Sequence, residues 1–304
     1  MQKTNKNYVG YITISLFAIL SGVSFAWTKE LLNYGFPVFT IVTTRLIIGS
    51  IFLITALKLM GKLERIKRKD YWYFLLLALG EPVIYFIGED FGMQYVDASF
   101  ASVVISLIPV AVAFVVPMVY GGKIKKRIVF GATLSIVGIL LMSFESGGLS
   151  FDIRGLLLLM LAISAAVLYS VMLESLLKKY GAFSVTAYMN LIGALIYLPI
   201  FFIFDSSSFA SLPWNFTTIK DLLCLGILCS AGAYGLYAFS TSKLGVEKAS
   251  VFNNISPIIT IVASVAMGME IFTVKKVLGV LIVVIGVLLS QGLIFKNRHI
   301  NLRK

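Results

Sequence analysis

Ala98-Ser99-Phe100-Ala101-Ser102-Val103 runs on to Leu107-Ile108-Pro109-Val110, and Val246-Glu247-Lys248-Ala249-Ser250-Val251 runs on to Ile255-Ser256-Pro257-Ile258. A shift of 148 residues lays Ala101 on Ala249, Ser102 on Ser250 and Pro109 on Pro257. The same shift lays Gly131 on Gly279 and Gly138 on Gly286. Nearer the N-terminus, Arg45 falls on Asn190 and Leu46-Ile47 on Leu191-Ile192, after a slightly shorter shift. Glycines and prolines that match at one constant offset point to an internal repeat. The chain therefore divides into residues 1–145 and 146–304, joined near 145–153.

What each half is made of follows from composition. Of 304 residues, 59% are hydrophobic and 13% charged, whereas a soluble domain carries about 25% charged residues. So few charges cannot coat so much apolar surface, and the soluble enzyme classes are excluded. A helix that crosses the hydrocarbon core needs about 20 mostly apolar residues. Ten stretches qualify, near 8–27, 37–59, 72–94, 98–120, 127–144, 154–174, 184–204, 220–241, 249–269 and 276–295. The first follows Lys3 and Lys6 but lacks a convincing cleavage site, so it reads as an uncleaved first helix. The expected fold is an all-α membrane protein with five helices per half. Five is odd, so the second half crosses in the opposite sense to the first, an inverted repeat of the kind that recurs in secondary transporters.

The net charge of +12 is distributed by side. With the N-terminus in the cytoplasm, twenty Lys and Arg fall on that side and five on the other, and Arg45 lies inside a span. That bias places both termini in the cytoplasm, in a plasma membrane or cell inner membrane. The basic loops then face anionic lipid head groups, not nucleic acid. Cys224 and Cys229 share one apolar run, and the single histidine, His299, lies in the basic tail. No metal site, cofactor motif or phosphate-cradling loop is legible, so neither ATP hydrolysis nor catalysis is expected.

Helix count, two similar halves and an Ala-Ser…Pro helix in each resemble the drug/metabolite transporter superfamily, EamA type. The first helix ends Ser24-Phe25-Ala26-Trp27-Thr28-Lys29, similar to that family's first-helix pattern with a terminal lysine, and Arg45 stands at a family-like arginine. The second half has Gly268-Met269-Glu270 where the family often has Gly-Glu, but the first half has Gly121-Gly122-Lys123 without a glutamate. The resemblance implies secondary transport of small metabolites by alternating access, often export of amino acids. Nucleotide-sugar or lipid-linked carriage is the alternative, with a membrane-embedded enzyme further off. Transport is expected to run on protons or another gradient, without a cofactor, and a monomer suffices.

Charges inside a membrane span cost about 2.5–3.5 kcal/mol each on insertion scales and tend to be paired and functional. Arg45 and Glu81 lie near the centres of their spans. Their pairing would hold a substrate carboxylate (Arg45) and a proton or substrate amine (Glu81), or would be a structural ion pair between two helices. Glu81 precedes Pro82, which frees a carbonyl and bends the helix. Glu81, Tyr85 and Glu89 recur every four residues and share a helix face; Asp90 points away from it. Asn190, in the place of Arg45, makes the halves chemically unequal. Asn253 and Asn254 open span nine and either bind substrate or cap the helix. Tyr169 and Tyr234 lie deep enough to line a cavity. Glu174, four residues before Lys178, reads as half of a surface ion pair.

Overall fold

The computed structural model describes residues 2–119, 124–145, 148–149, 151–271 and 273–292. Gly121-Gly122-Lys123, Gly147 and the tail with His299 lie outside them. Among the described residues, ten helices are long and apolar enough to cross a membrane. They are α1 (Tyr8–Asn33), α2 (Val38–Leu59), α3 (Arg68–Gly92), α4 (Ala98–Val115), α5 (Lys126–Ser143), α6 (Ile153–Leu177), α7 (Ala182–Phe204), α8 (Phe216–Leu244), α9 (Lys248–Ala266) and α10 (Val274–Gln291). Five belong to each half, with opposite senses. A short antiparallel pairing of Phe144–Glu145 with Gly148–Leu149 lies in the connector.

α1 runs a turn and a half beyond its expected end. Leu31 continues its apolar side and packs with Phe36, Ile41 and Leu222. Termination comes at Gly35, whose φ of +84° suits glycine, just before Pro37. Asp205, at the end of α7, accepts hydrogen bonds from Thr40 N (2.8 Å) and Thr40 Oγ1 (3.1 Å) at the start of α2. A carboxylate there meets unpaired N–H groups and the positive end of the helix dipole.

The repeat has a physical axis where α5 meets α10. A Cβ on Gly138 would lie 2.6 Å from the Gly279 carbonyl oxygen, and one on Gly279 would lie 2.7 Å from that of Gly138. Gly131 and Gly286 face each other in the same way. Each contact joins a glycine of one half to the glycine that its repeat mate's partner predicts. Ser135 Oγ also donates to the carbonyl of Val283 at 3.3 Å, 148 positions away. Without a hydrophobic drive between helices in lipid, such close backbone approach is what binds them.

Four helices are broken, and the breaks fall in repeat-related pairs. α3 has π-type turns over Leu79–Ile84 and α8 over Leu225–Ala233. α4 is interrupted at Ser106-Leu107, just ahead of Pro109, and α9 passes through a 3-10 stretch, Val251–Ile255, just ahead of Pro257. A proline has no N–H to donate and its ring crowds the preceding turn, so α4 and α9 restart at these residues. Pro82 acts likewise in α3: Glu81, before it, takes an extended conformation (φ −142°, ψ 121°). α8 breaks without a proline, in a run of small residues, Ser230-Ala231-Gly232-Ala233.

Candidate functional site

Irregular backbone at membrane depth is tolerated where it is buried in protein or lines a cavity. All four breaks border one central cavity of about 60 Å³, room for a few waters. The first half contributes Arg45, Glu81, Tyr85 and Glu89, with Ser102 and Ser106 at the α4 break. Across from them the second half contributes Tyr169, Ser170, Tyr234, Tyr237, Asn253 and Ser256. Phe17, Phe25 and Phe86 complete an aromatic wall.

The charged residues are deeply buried: Arg45 is 3% exposed, Glu81 6%, Glu89 5% and Asp90 0%. The expected Arg45–Glu81 ion pair does not form. Arg45 Nε instead donates to Ser230 Oγ at 3.1 Å, and its guanidinium carbon lies 4.3 Å from the centre of the Phe86 ring. Ser230 sits in the π-type stretch of α8, which brings a hydroxyl to Arg45. Tyr234 approaches Glu81 and Tyr85 approaches Glu89, hydroxyl to carboxylate in each case. Tyr197 Oη donates to the carbonyl of Val83 (2.7 Å), one of the groups in the disrupted turn of α3.

Two expected site residues stand outside the cavity wall. Asn190 is buried and donates to the Ser230 carbonyl at 2.6 Å. Arg45 and its repeat mate thus converge on one residue, and Asn190 steadies it from behind. Asn254 Nδ2 donates to the Val251 carbonyl (2.8 Å) inside the 3-10 stretch, while its neighbour Asn253 does face the cavity. Within the cavity wall, Tyr169 Oη and Asn253 Oδ1 are buried without a hydrogen-bond partner among the described residues. Such groups are costly to leave unpaired and mark places where something else binds. Sequence inspection passed over Ser102, Ser106, Ser170 and Ser256. Pro109 and Pro257 were the available signal, since a helix that restarts at proline leaves its preceding serines beside the break.

The two ends of the bundle differ. Toward the basic loops, a second cavity of about 230 Å³ is lined by Lys125, Arg127, Glu174, Val246 and Gln291, among others, and shares Ser170 with the central one. Glu174 therefore borders a vestibule and makes no ion pair with Lys178. At the opposite end, polar contacts hold the helix ends together, within the first half through Lys29 and between the halves through Glu270 and Lys276. Lys29 Nζ donates to the carbonyls of Met93 (2.7 Å) and Val96 (2.9 Å). Glu270 accepts from Ser99 N at 3.0 Å and from Ser99 Oγ, and pairs with Lys276 at 2.8 Å. Lys276 also reaches Asp97 at 3.2 Å. Burial alone would raise the Glu270 carboxyl, but hydrogen bonds from Lys276 and Ser99 overcome it and hold the group below its ordinary value. A smaller space of about 160 Å³ beside this latch is lined by Asp97, Ser99 and Lys276 and shares no residue with the central cavity.

The model of the EamA-like transporter family matches residues 8–144 and again 153–291. A protein of Archaeoglobus fulgidus described as an uncharacterized transporter is 26% identical over 277 residues, 91% of this chain and 96% of its own. The uncharacterized transporter YyaM of Bacillus subtilis is 24% identical over 93% of this chain and 94% of its own. A solved crystal structure superposes with a TM-score of 0.65 over 97% of this chain and 99% of that one, at 17% identity, a likeness of fold. With ten helices in two inverted halves and a family match repeated along both, the chain belongs to the EamA-like transporter family, within the drug/metabolite transporter superfamily.

Proposed function

We propose that this protein is a secondary active exporter of small amine-bearing metabolites, amino acids among them, working by alternating access. The observation that carries the proposal is the composition of the central cavity. Its wall sets one buried cation, Arg45, against two buried carboxylates, Glu81 and Glu89, amid aromatic rings. An excess of carboxylate in low dielectric favours a positively charged guest, and aromatic faces add cation–π attraction. A carboxylate on the same substrate finds the unpartnered Tyr169 hydroxyl, and the unpartnered Asn253 Oδ1 accepts from the substrate ammonium.

The vestibule at the basic-loop end supports loading from the cytoplasm. Positive-inside orientation makes the basic-loop vestibule cytoplasmic, and that vestibule adjoins the central cavity at Ser170. The Lys29 and Glu270–Lys276 latch then closes the outer side. A cytoplasmic substrate enters, the halves exchange conformations about the α5–α10 axis, and the latch yields. Inverted repeats supply two such conformations of similar energy.

The test is uptake of labelled amino acids and simple amines into inside-out membrane vesicles, with and without a pH gradient. Uptake that saturates, and that Glu81→Gln and Glu89→Gln each weaken in folded protein, supports the assignment. No uptake of any amine, with uptake of a nucleotide-sugar instead, overturns it. Normal transport by both variants overturns the site.

A further inference from the structure

Asp90 is the one carboxylate of the central cluster that does not line the cavity. It is 0% exposed, and neither carboxylate oxygen has a hydrogen-bond partner among the described residues. Every other buried charge near it is accounted for. Glu81 and Glu89 face tyrosine hydroxyls, and Arg45 is held by Ser230 and Phe86. Leaving a carboxylate ionised and unpaired in a dry interior is costly, so such a group needs either a cation or a proton.

The surroundings show what would remove that proton. From α2, Arg45 faces Asp90, and Asp90 is the carboxylate that acts on it most strongly. From α7 comes the Tyr197 phenol, and from α3 itself Glu89 and Tyr85. α6 meets this stretch at Gly88 and Gly92 with Leu158, Leu159, Ala162 and Gly155, and brings no titratable group. Among the described residues Arg45 is thus the cation close to Asp90, and it also belongs to the cavity wall where the substrate would sit.

We propose that Asp90 is the proton-carrying residue of this transporter and that Arg45 exchanges its proton for substrate. This rests on the amine-binding assignment of the central cavity. Before substrate binds, Arg45 is the fixed cation near Glu81 and Glu89 among the described residues, and Asp90 is the neutral acid. An entering ammonium group takes over Glu81 and Glu89. Arg45 then turns to Asp90 and forms an ion pair. The O–H bond of Asp90 breaks, its electron pair stays on the carboxylate, and the proton passes to water on the cytoplasmic side. After the substrate leaves outward, Arg45 returns to the cavity wall and Asp90 takes a proton from outside. One proton enters for each amine exported, and the cluster keeps its charge throughout.

Asp90→Asn keeps the size of the neutral acid but cannot lose a proton. In inside-out vesicles with an acidic lumen, the wild-type protein should accumulate labelled amine against its gradient, and Asp90→Asn should lose that accumulation. The variant should still exchange labelled for unlabelled amine, which needs the cavity but not the proton. Undiminished proton-driven accumulation by Asp90→Asn overturns the proposal. Loss of exchange as well, in folded protein, also overturns it, because Asp90 would then be part of the binding structure. A second measurement needs no substrate: the infrared carbonyl band of a protonated carboxylic acid at neutral pH should shrink in Asp90→Asn. An unchanged band shows an ionised Asp90 and overturns the proposal even if the amine assignment fails separately.

Discussion

Gly286→Ala puts the repeat axis to a test in which the sign alone decides. In a helix that faced only lipid, replacing glycine by alanine would stabilise by about 0.8–1.0 kcal/mol through helix propensity. Here the added Cβ would lie 2.6 Å from the Gly131 carbonyl oxygen, 2.5 Å from Ser135 Oγ and 2.8 Å from Ser135 N. Two of these three are backbone atoms, which cannot rotate aside, so α5 and α10 must separate. Overpacking of this kind costs about 1–3 kcal/mol. Since the obstruction is backbone, the upper part of that range applies, and the net effect is a loss of about 1–2 kcal/mol after the propensity gain. At roughly 2–4 °C per kcal/mol for a chain of this order of size, Tm should fall by a few degrees. Thermal unfolding of the purified protein in detergent measures it. Gly138→Ala, against Gly279 O and Val283, should act with the same sign. Gly131→Ala combined with Gly286→Ala should cost less than the sum, because both relieve one contact by the same separation. A rise in Tm for Gly286→Ala would mean that α5 and α10 do not meet through their glycines.

Other outcomes follow from the site. Tyr169→Phe removes a buried hydroxyl that has no partner, so folded stability should hold or rise. Amine or amino-acid affinity should nevertheless drop, by about tenfold if one hydrogen bond of roughly 1.4 kcal/mol is lost; unchanged affinity would remove Tyr169 from the site. Asp205→Ala strips the start of α2 of two hydrogen bonds and should cost about 1–2 kcal/mol in thermal unfolding, as loss of a helix cap does. The Glu270 latch has a pH dependence of definite sign. A carboxyl held below its ordinary value stabilises the closed outer end above the ordinary range, about 4.3, and that contribution is lost as pH falls through the lowered value. Outer acidification from pH 7 to 5 should therefore leave the latch shut, and thiol labelling near Asp97 should rise only in stronger acid.

Much of the fold could be read from the chain because lipid imposes it. Spans of about 20 apolar residues have few alternatives, and the glycines at 131, 138, 279 and 286 matched before their contact was known. The exits from regular helix were legible only in part. Pro82, Pro109 and Pro257 mark three breaks, while the fourth, at Ser230-Ala231-Gly232-Ala233, has no residue that forbids a regular helix. That is why sequence points to Glu81, and not to Ser230, as the partner of Arg45. Spacing brought Arg45 and Glu81 to similar depth, but the π-type turns of α8 present Ser230, and Phe86 offers its ring face. Asn190 and Asn254 likewise look available in sequence, yet each gives its amide N–H to a backbone carbonyl, of Ser230 and Val251. Lys29 and Glu270 stood out in sequence, yet their joint role depends on where the α3–α4 and α9–α10 connections meet in space.

The most direct test is the side from which the central cavity can be reached. In a Cys224→Ser, Cys229→Ser background, Ser170→Cys places a thiol where the vestibule joins the cavity. A small membrane-impermeant thiol reagent should label it in inside-out vesicles and not in right-side-out ones. Adding Glu270→Ala, which opens the latch, should slow the first reaction and bring on the second. Labelling from the outer face alone, or equal labelling from both faces at once in the parent protein, would contradict a cavity that opens to one compartment at a time.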